Sequence, residues 1–395
     1  VPNLAISDKG ATAKLKETHY EEFVRVYKKM LGVSPLKIVQ DVINTLRDMT
    51  GYEPSTLDDT PYQEAAVIIF NSRLRSMGYK GPNLAYKTIY EGDPNILNEY
   101  RSVMNVLHHT YRFSKNRMIF RFEEALTAKL LHTDLTKVDS SFLTSPFESI
   151  YIDLPYNEEL FIPNHLTGLH KVKGIYVSYG HDIDVKGVNL PLEGGPDRDG
   201  IHPALKFDGV PANKVIRILA VAGPNANSDN ALDDATFYMT FFLAPGDVFP
   251  QVKAAADRYT QMDGGEDQKQ YMHKLFSFVL NALMYITNPS ADLVRTHAKF
   301  KKAVKGKVPV IDGLSHIDVV TVGSSVHITH DFRQAYRNGT LKTFTISSPH
   351  WVVRGHWRNQ AHGPERSLRR MTWIEPYSKG KGVVEEVVGR DYHVS

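Results

Sequence analysis

The residue types best suited to chemistry crowd into one stretch near the C-terminus, His350-Trp351-Val352-Val353-Arg354-Gly355-His356-Trp357-Arg358. It runs on through Gly363-Pro364 to Ser367-Leu368-Arg369-Arg370-Met371-Thr372-Trp373-Ile374-Glu375-Pro376. All 3 tryptophans of the chain lie here, five arginines fall between Arg354 and Arg370, and His350, His356 and His362 are interleaved with them. Guanidinium groups pair with phosphates and carboxylates, and indole and imidazole rings stack on unpaired bases. The stretch therefore suits a surface for nucleic acid, an acidic peptide or a carboxylate. The groups that would bind are Arg354, His356, Arg358, Arg369 and Arg370, with Trp351, Trp357 and Trp373 as structural anchors. A histidine among arginines also suits a general base in phosphodiester cleavage. No second acid or base is identifiable, so no catalytic residue is assigned. The bland alternative is a core strand whose arginines form only a solvated face.

Presenting these groups takes two strands and a turn. Read with a period of two, His350, Val352, Arg354, His356 and Arg358 share one face, and Trp351, Val353, Gly355 and Trp357 share the other. Residues 359–366 include Gly363 and Pro364, which suit a turn, and residues 368–374 are again extended in character before Pro376. The spacing predicts a β-hairpin. Residues 350–382 hold five Arg and two Lys against Glu365 and Glu375, a local charge of +5 in a chain of formal charge +3. The remainder is thus slightly acidic.

Upstream, the apolar period changes near Ser145-Pro146. Residues 1–140 read as a helical N-terminal region with almost no strand. Tyr20, Phe23, Val24, Tyr27, Met30 and Leu31 recur at helical spacing, and Leu36, Val39, Val42, Ile43 and Leu46 do so after Pro35, a good first-turn proline. Asp58-Asp59-Thr60-Pro61 reads as the cap of a third helix, Asp93-Pro94 opens a fourth reaching about His108, and residues 120–131 read as a fifth. Residues 141–395 read as an α+β domain ending in the basic hairpin. Strands are expected at 150–154, 172–179, 215–222, 236–243 and 317–322, with the nearly apolar 236–243 central. Residues 187–211 and 225–234 read as surface loops. Pro250 and Asp267 precede two helices, and the second, 268–287, is apolar nearly all round in its last half, as a helix against a sheet would be. The lysine-rich residues 296–307 read as a basic linker or a solvated helix end, and a short helix is expected at 330–337. The predicted fold class is α+β, a helical N-terminal region followed by a mixed sheet flanked by helices.

Composition narrows the function classes. At 42% hydrophobic and 23% charged the chain is an ordinary globular one, not a disordered one. With 0 Cys it has no disulfide, thiolate nucleophile or Cys-ligated metal. No phosphate loop, dinucleotide fingerprint or serine nucleophile elbow occurs. Asp197-Arg198-Asp199-Gly200-Ile201-His202 has the outline of a metal loop, but it lacks the further oxygen ligands and reads as an ordinary turn. Asp153, Asp229, Asp233 and Asp234 read as solvated or capping carboxylates, and His108-His109 as helix surface and core. No metal or organic cofactor is expected. The longest apolar run, 275–286, is too short to span a bilayer, and the first residues lack the basic and apolar regions of a signal peptide. The expectation is a cytoplasmic protein without a membrane partner.

The Arg354-Gly355-His356-Trp357 pattern, followed by a Gly-containing turn, basic residues and an aromatic-centred strand ending in Pro376, resembles the C-terminal signature of a family of phage-encoded anti-CRISPR proteins. Four shorter patterns lie in the family's order. Ser145-Pro146-Phe147-Glu148-Ser149-Ile150-Tyr151-Ile152-Asp153-Leu154 resembles its first strand, and His170-Lys171-Val172-Lys173-Gly174-Ile175-Tyr176-Val177 its second. The apolar helix 275–286 running into Asn288-Pro289-Ser290-Ala291-Asp292, and the strand Val319-Val320-Thr321-Val322-Gly323, complete the series. The resemblance covers roughly 145–380. It implies a protein that acts against type V-A systems by lowering production of the effector nuclease in the cytoplasm of a bacterial host. The implied partner is the nuclease's N-terminal segment as it is made, on a translating ribosome, with loss of its message as the outcome. From the residues alone, RNA is the other candidate partner. A nucleic-acid-directed enzyme or toxin that uses the Arg/His hairpin as a phosphate site, and a virion-associated structural protein, are the alternatives.

Overall fold

Alternating side chains along several short segments put apolar residues on both faces of a sheet, which therefore has to be covered on both sides. The computed structural model describes residues 6–8, 19–20, 23–24, 27, 31–53, 57–81, 94–154, 157, 159–164, 168–186, 188, 197–222, 236–263, 266–298, 317–327 and 350–380. In chain order its strands begin with β1 (Ile6–Asp8), β2 (Met118–Phe122), β3 (Thr133–Asp134), β4 (Ser149–Asp153), β5 (Phe161–Asn164), β6 (Gly168–His181), β7 (Lys206–Phe207) and β8 (Val210–Pro211). They continue with β9 (Lys214–Ala222), β10 (Thr236–Leu243), β11 (Leu293–Ala298), β12 (Ile317–Val322), β13 (His350–Val353), β14 (Gly355–His362), β15 (Leu368–Ile374) and β16 (Tyr377–Gly380). The helices are α1 (Pro35–Thr50), α2 (Thr60–Ser76), α3 (Pro94–Asn116), α4 (Glu124–Leu131), α5 (Val248–Asp263) and α6 (Glu266–Ile286).

The main sheet runs β1-β11-β12-β2-β4-β6-β9-β10, with β5 beside β6, and it is mixed, since β2 pairs in parallel with both β12 and β4 while β6, β9 and β10 continue antiparallel. The protein is α+β, as expected. On one face, Val319, Ile119, Tyr151, Tyr176, Leu219 and Tyr238 stand in register across six strands. This row packs under Tyr20, Phe23, Val24 and Tyr27 of the N-terminal helical residues and under Val106 and Phe113 of α3. Gly174 lies where the Tyr151 ring crosses the sheet, and a Cβ there would fall 1.8 Å from the Tyr151 hydroxyl, so only glycine fits. α3 buries a second face, with Val103, Leu107 and Tyr111, against α1 and α2. On the opposite sheet face, Phe120, Ile152, Ile175 and Ala220 pack with residues of α5 and α6.

The structure corrects the sequence reading at several places. The helix expected over 120–131 is strand β2, a central member of the sheet, followed by the short helix α4. Residues 236–243, expected in the middle, form β10, the outermost strand on its side among the described residues. Its apolar content is explained by cover on both faces: Phe241 and Leu243 join the main core, Tyr238 packs with the tyrosine row, and Phe242 packs against the small cluster of Val185, Leu205 and Ala212. The start of the basic stretch at 296–298 is the end of strand β11. α3 extends to Asn116, beyond the expected end near His108. The loop 225–234 with Asp229, Asp233 and Asp234, the helix expected at 330–337 and lysines 299–307 lie outside the described residues.

Candidate functional site

The C-terminal stretch forms strands, but not one continuous hairpin. β13 pairs with β16, the strand is interrupted at Arg354, and β14 then pairs with β15 through seven residues, from His356↔Ile374 to His362↔Leu368. Strand character thus extends to His362, and the turn is confined to residues 363–367.

The base of this ribbon is held by side-chain hydrogen bonds. Trp357 is 2% exposed and its Nε1 donates to Asn281 Oδ1 of α6 at 2.8 Å. Asn281, itself fully buried, donates through Nδ2 to the carbonyls of Leu130 and Thr133 at 3.1 and 3.0 Å. Trp373, directly across from Trp357, donates to Thr133 Oγ1 at 3.1 Å and meets the Tyr285 ring edge-on. Asn288 Nδ2 donates to the Met371 carbonyl at 3.0 Å, and Lys129 pairs with Glu375. Gly355 passes so close to Thr133 that a Cβ would lie 2.6 Å from its Oγ1. The Arg-Gly-His-Trp order thus has a local explanation, with the glycine clearing Thr133 and the tryptophan docking on Asn281. Trp357 and Trp373 tie the ribbon to α6 and to Thr133. The side chain of Trp351 lies outside the described residues.

Beyond this base the ribbon is exposed. Arg354, Arg358, Arg366, Arg369 and Arg370 are all solvent-facing, and none makes an ion pair among the described residues. Directly paired residues share a face, so the register places Arg358, Arg370, His356 and His362 together. Arg369 stands on the other face, with Trp357, Met371 and Trp373. Arg354 is at the break before β14. Arg366, which the sequence reading left out, sits in the turn with φ 57° beside Glu365 at φ 50°, two successive non-glycine residues in the left-handed region. Such conformations cost on the order of 1 kcal/mol each and fix the turn's shape. His356 is half-buried, and its Nδ1 lies 3.4 Å from the Arg354 carbonyl oxygen.

A family model for "AcrVA2-like: Anti-CRISPR type V subtype A2 family" matches residues 120–379, from β2 into β16. The chain belongs to this anti-CRISPR family. A solved chain described as "Crystal structure of AcrVA2" aligns with 92% of this chain and 99% of its own, at 12% identity and a TM-score of 0.48. No curated protein matches in sequence. The family match takes in the sheet beyond β1, the helices α4 to α6 and the arginine ribbon, whereas α1 to α3 precede it.

This anti-CRISPR protein also carries charged pairs in its interior. Asp59, expected to cap α2, makes no cap bond; its Oδ1 accepts instead from Arg217 of β9 and lies 3.4 Å from His108 Nδ1. Asp58 takes the turn role, accepting from the Thr60 amide at 2.9 Å. Burial raises the Asp59 pKa, but the His108 hydrogen bond and the Arg217 charge outweigh it and hold the group at about 2. His108 is pushed down to about 4 by burial and by the neighbouring Arg217. Burial likewise pushes His109 well below the usual range. Asp153 corrects the expectation of a solvated carboxylate: it is 1% exposed, accepts from Arg121 Nε at 2.8 Å and from the His19 backbone amide at 3.1 Å. Asp197 is an ordinary turn, accepting from the Asp199 and Ile201 amides and pairing with Lys206. Among the described residues no group of three or more His, Asp or Glu side chains is placed to hold a metal, and no helix is long and apolar enough to cross a membrane.

Proposed function

We propose that this anti-CRISPR protein suppresses production of a type V-A effector nuclease in the cytoplasm of a bacterial host, by binding the nuclease's nascent N-terminal segment or the RNA that encodes it. The observation that carries the reading is the ribbon: guanidinium groups without carboxylate partners among the described residues, carried on a base locked by the buried Trp357 and the part-buried Trp373. A surface of that kind contributes little to folding and is free to meet an anionic partner. Arg354, His356, Arg358, Arg369 and Arg370 are the proposed contact residues, joined by Arg366. The helices α1 to α3, which precede the family match, are proposed to contribute to partner selection.

The test is co-expression with the nuclease in bacteria, reading nuclease protein and message levels together. Wild type lowers both, and the Arg358→Ala/Arg370→Ala double variant restores them while remaining folded and abundant. Undiminished suppression by that variant removes the ribbon from the mechanism. Capture from the native host, with mass spectrometry and RNA sequencing, then identifies the partner.

A further inference from the structure

The part of the ribbon beyond Arg358 is a two-stranded blade whose chemistry can be read face by face. Arg358 and Arg370 stand on one face, Arg369 on the other, and Arg366 at the turn between them. Glu365 is the one acidic residue from Arg354 to Arg370. A single carboxylate or one edge of an extended peptide meets one face of such a blade. Two rows of phosphates meet both. Residues 358–370 include no Phe, Tyr or Trp, and Trp357 and Trp373 are committed to Asn281 and Thr133. With His362 as its one aromatic ring, the blade lacks the succession of aromatic platforms on which single strands stack. What it offers besides cations is one exposed amide on each face, Asn359 beside Arg369 and Gln360 beside Arg358 and Arg370; Gln360 Oε1 accepts from Thr372 at 3.0 Å, which leaves its nitrogen as a donor.

We propose that this blade binds base-paired RNA, lying across the shallow minor groove of an A-form stem. Its guanidinium groups meet the flanking phosphate strands, and Asn359 and Gln360 meet the 2′-hydroxyls. This rests on the reading that nuclease production is suppressed at its message, and it names the partner class of that same surface. A-form helices expose a wide minor groove lined by 2′-hydroxyls and are recognised by shape and backbone. The rigid base favours such a contact because the backbone that carries the arginines does not have to be newly ordered. The fixed left-handed turn at Glu365 and Arg366 holds Arg366 in place.

The experiment uses the full chain and fluorescence anisotropy with four labelled probes: an RNA stem-loop, the same sequence as DNA, oligouridine, and a polyglutamate peptide. The RNA stem is expected to bind best, with affinity falling steeply as salt rises. Arg358→Ala/Arg370→Ala should weaken binding by about tenfold or more and reduce the slope of log affinity against log salt by about 2. Arg47→Ala, at an exposed arginine paired with Glu53, should change neither. The inference is overturned by an absence of RNA-stem binding, by binding that the double variant leaves unchanged, or by DNA, oligouridine or polyglutamate binding as tightly. Wild-type protein that suppresses the nuclease in cells yet has no affinity for the stem sinks this inference alone. Failure to suppress at all sinks the proposed function as well.

Discussion

Arg121 and Arg217 lie in the sheet with a carboxylate against each, whereas the ribbon's Arg354, Arg358, Arg366, Arg369 and Arg370 stand in solvent with no ion pair among the described residues. A buried guanidinium is tolerated only when paired, because its desolvation is otherwise uncompensated. Both interior pairs also tie layers together: Arg121–Asp153 links β2 to β4 under His19, and Arg217 links β9 to the start of α2 through Asp59. Here arginine fixes architecture. On the ribbon that task falls to tryptophan and asparagine, and arginine is left for a partner. The same residue type therefore has opposite expected consequences in the two regions.

The largest effect should come from breaking an interior pair. Asp153→Ala removes the carboxylate against Arg121, and Asp59→Ala the one against Arg217, so each should cost about 3–5 kcal/mol. Urea unfolding at neutral pH measures this, and a loss below about 1 kcal/mol at both sites would remove the distinction between the two sets of arginines. Next comes the ribbon's anchor. Trp357→Phe keeps most of the buried volume but orphans Asn281 Oδ1, an expected loss of about 1–3 kcal/mol. The same substitution in an Asn281→Leu background should cost less, since no acceptor is left unsatisfied. Equal losses in both backgrounds would show that the hydrogen bond is not what holds the ribbon.

The sequence made the faces of the sheet legible but not their cover. Periods of two correctly marked β4, β6, β9 and β12, and helical spacing placed Tyr20, Phe23, Val24 and Tyr27 in a buried stripe. Arg121, Asp153 and Arg217 occupy the same face as the tyrosine row. In one dimension a charge at such a position looks solvent-facing, and only the helices packed above show it to be interior. β2 was missed because Phe122, Leu126 and Leu130 continue a helical spacing beyond it and a five-residue strand gives few alternations. In the ribbon, alternation puts Trp357 on the face opposite Arg358, but its partner Asn281 lies 76 residues away and gives no local signal. The opposite facing of Arg369 and Arg370 depends on register, which places adjacent residues on alternate sides. Arg366 carried no pattern signal at all, because its position is set by the turn.

A pH titration sharpens the comparison from the interior side. His108 has a pKa of about 4 in the fold against an ordinary 6.5, and His109 is depressed as well. A histidine lowered by folding favours the native state when neutral, so its contribution is fully present above about 6.5 and declines as pH falls toward 4. Asp59 and Glu159, both held at about 2, lose their contributions lower still, as pH falls below their ordinary values of 3.8 and 4.5. The melting temperature should therefore drop between pH 6.5 and 4 and again below. His108→Asn retains a donor toward Asp59 without the titration, so it should flatten the first decline. An unchanged first decline in both His108→Asn and His109→Gln would assign the acid sensitivity elsewhere.

The smallest stability effect is expected on the ribbon itself. Arg358 and Arg370 share an exposed face and have no carboxylate partner among the described residues, so alanine at each should change stability by no more than about 0.5 kcal/mol. Removing two like charges from one face relieves mutual repulsion, so a slight rise in melting temperature at low salt is the expected sign, fading as salt screens the remaining charges. Arg369→Ala serves as the internal control. It lies on the opposite face, and its Nη1 donates to the Arg366 carbonyl at 3.3 Å, so this substitution should loosen the turn slightly and show no salt-dependent gain. Urea titrations of the three variants at low and high salt separate these outcomes. A loss above about 2 kcal/mol in the Arg358→Ala/Arg370→Ala variant would mean that these arginines hold structure, and the contrast between interior and ribbon arginines would collapse.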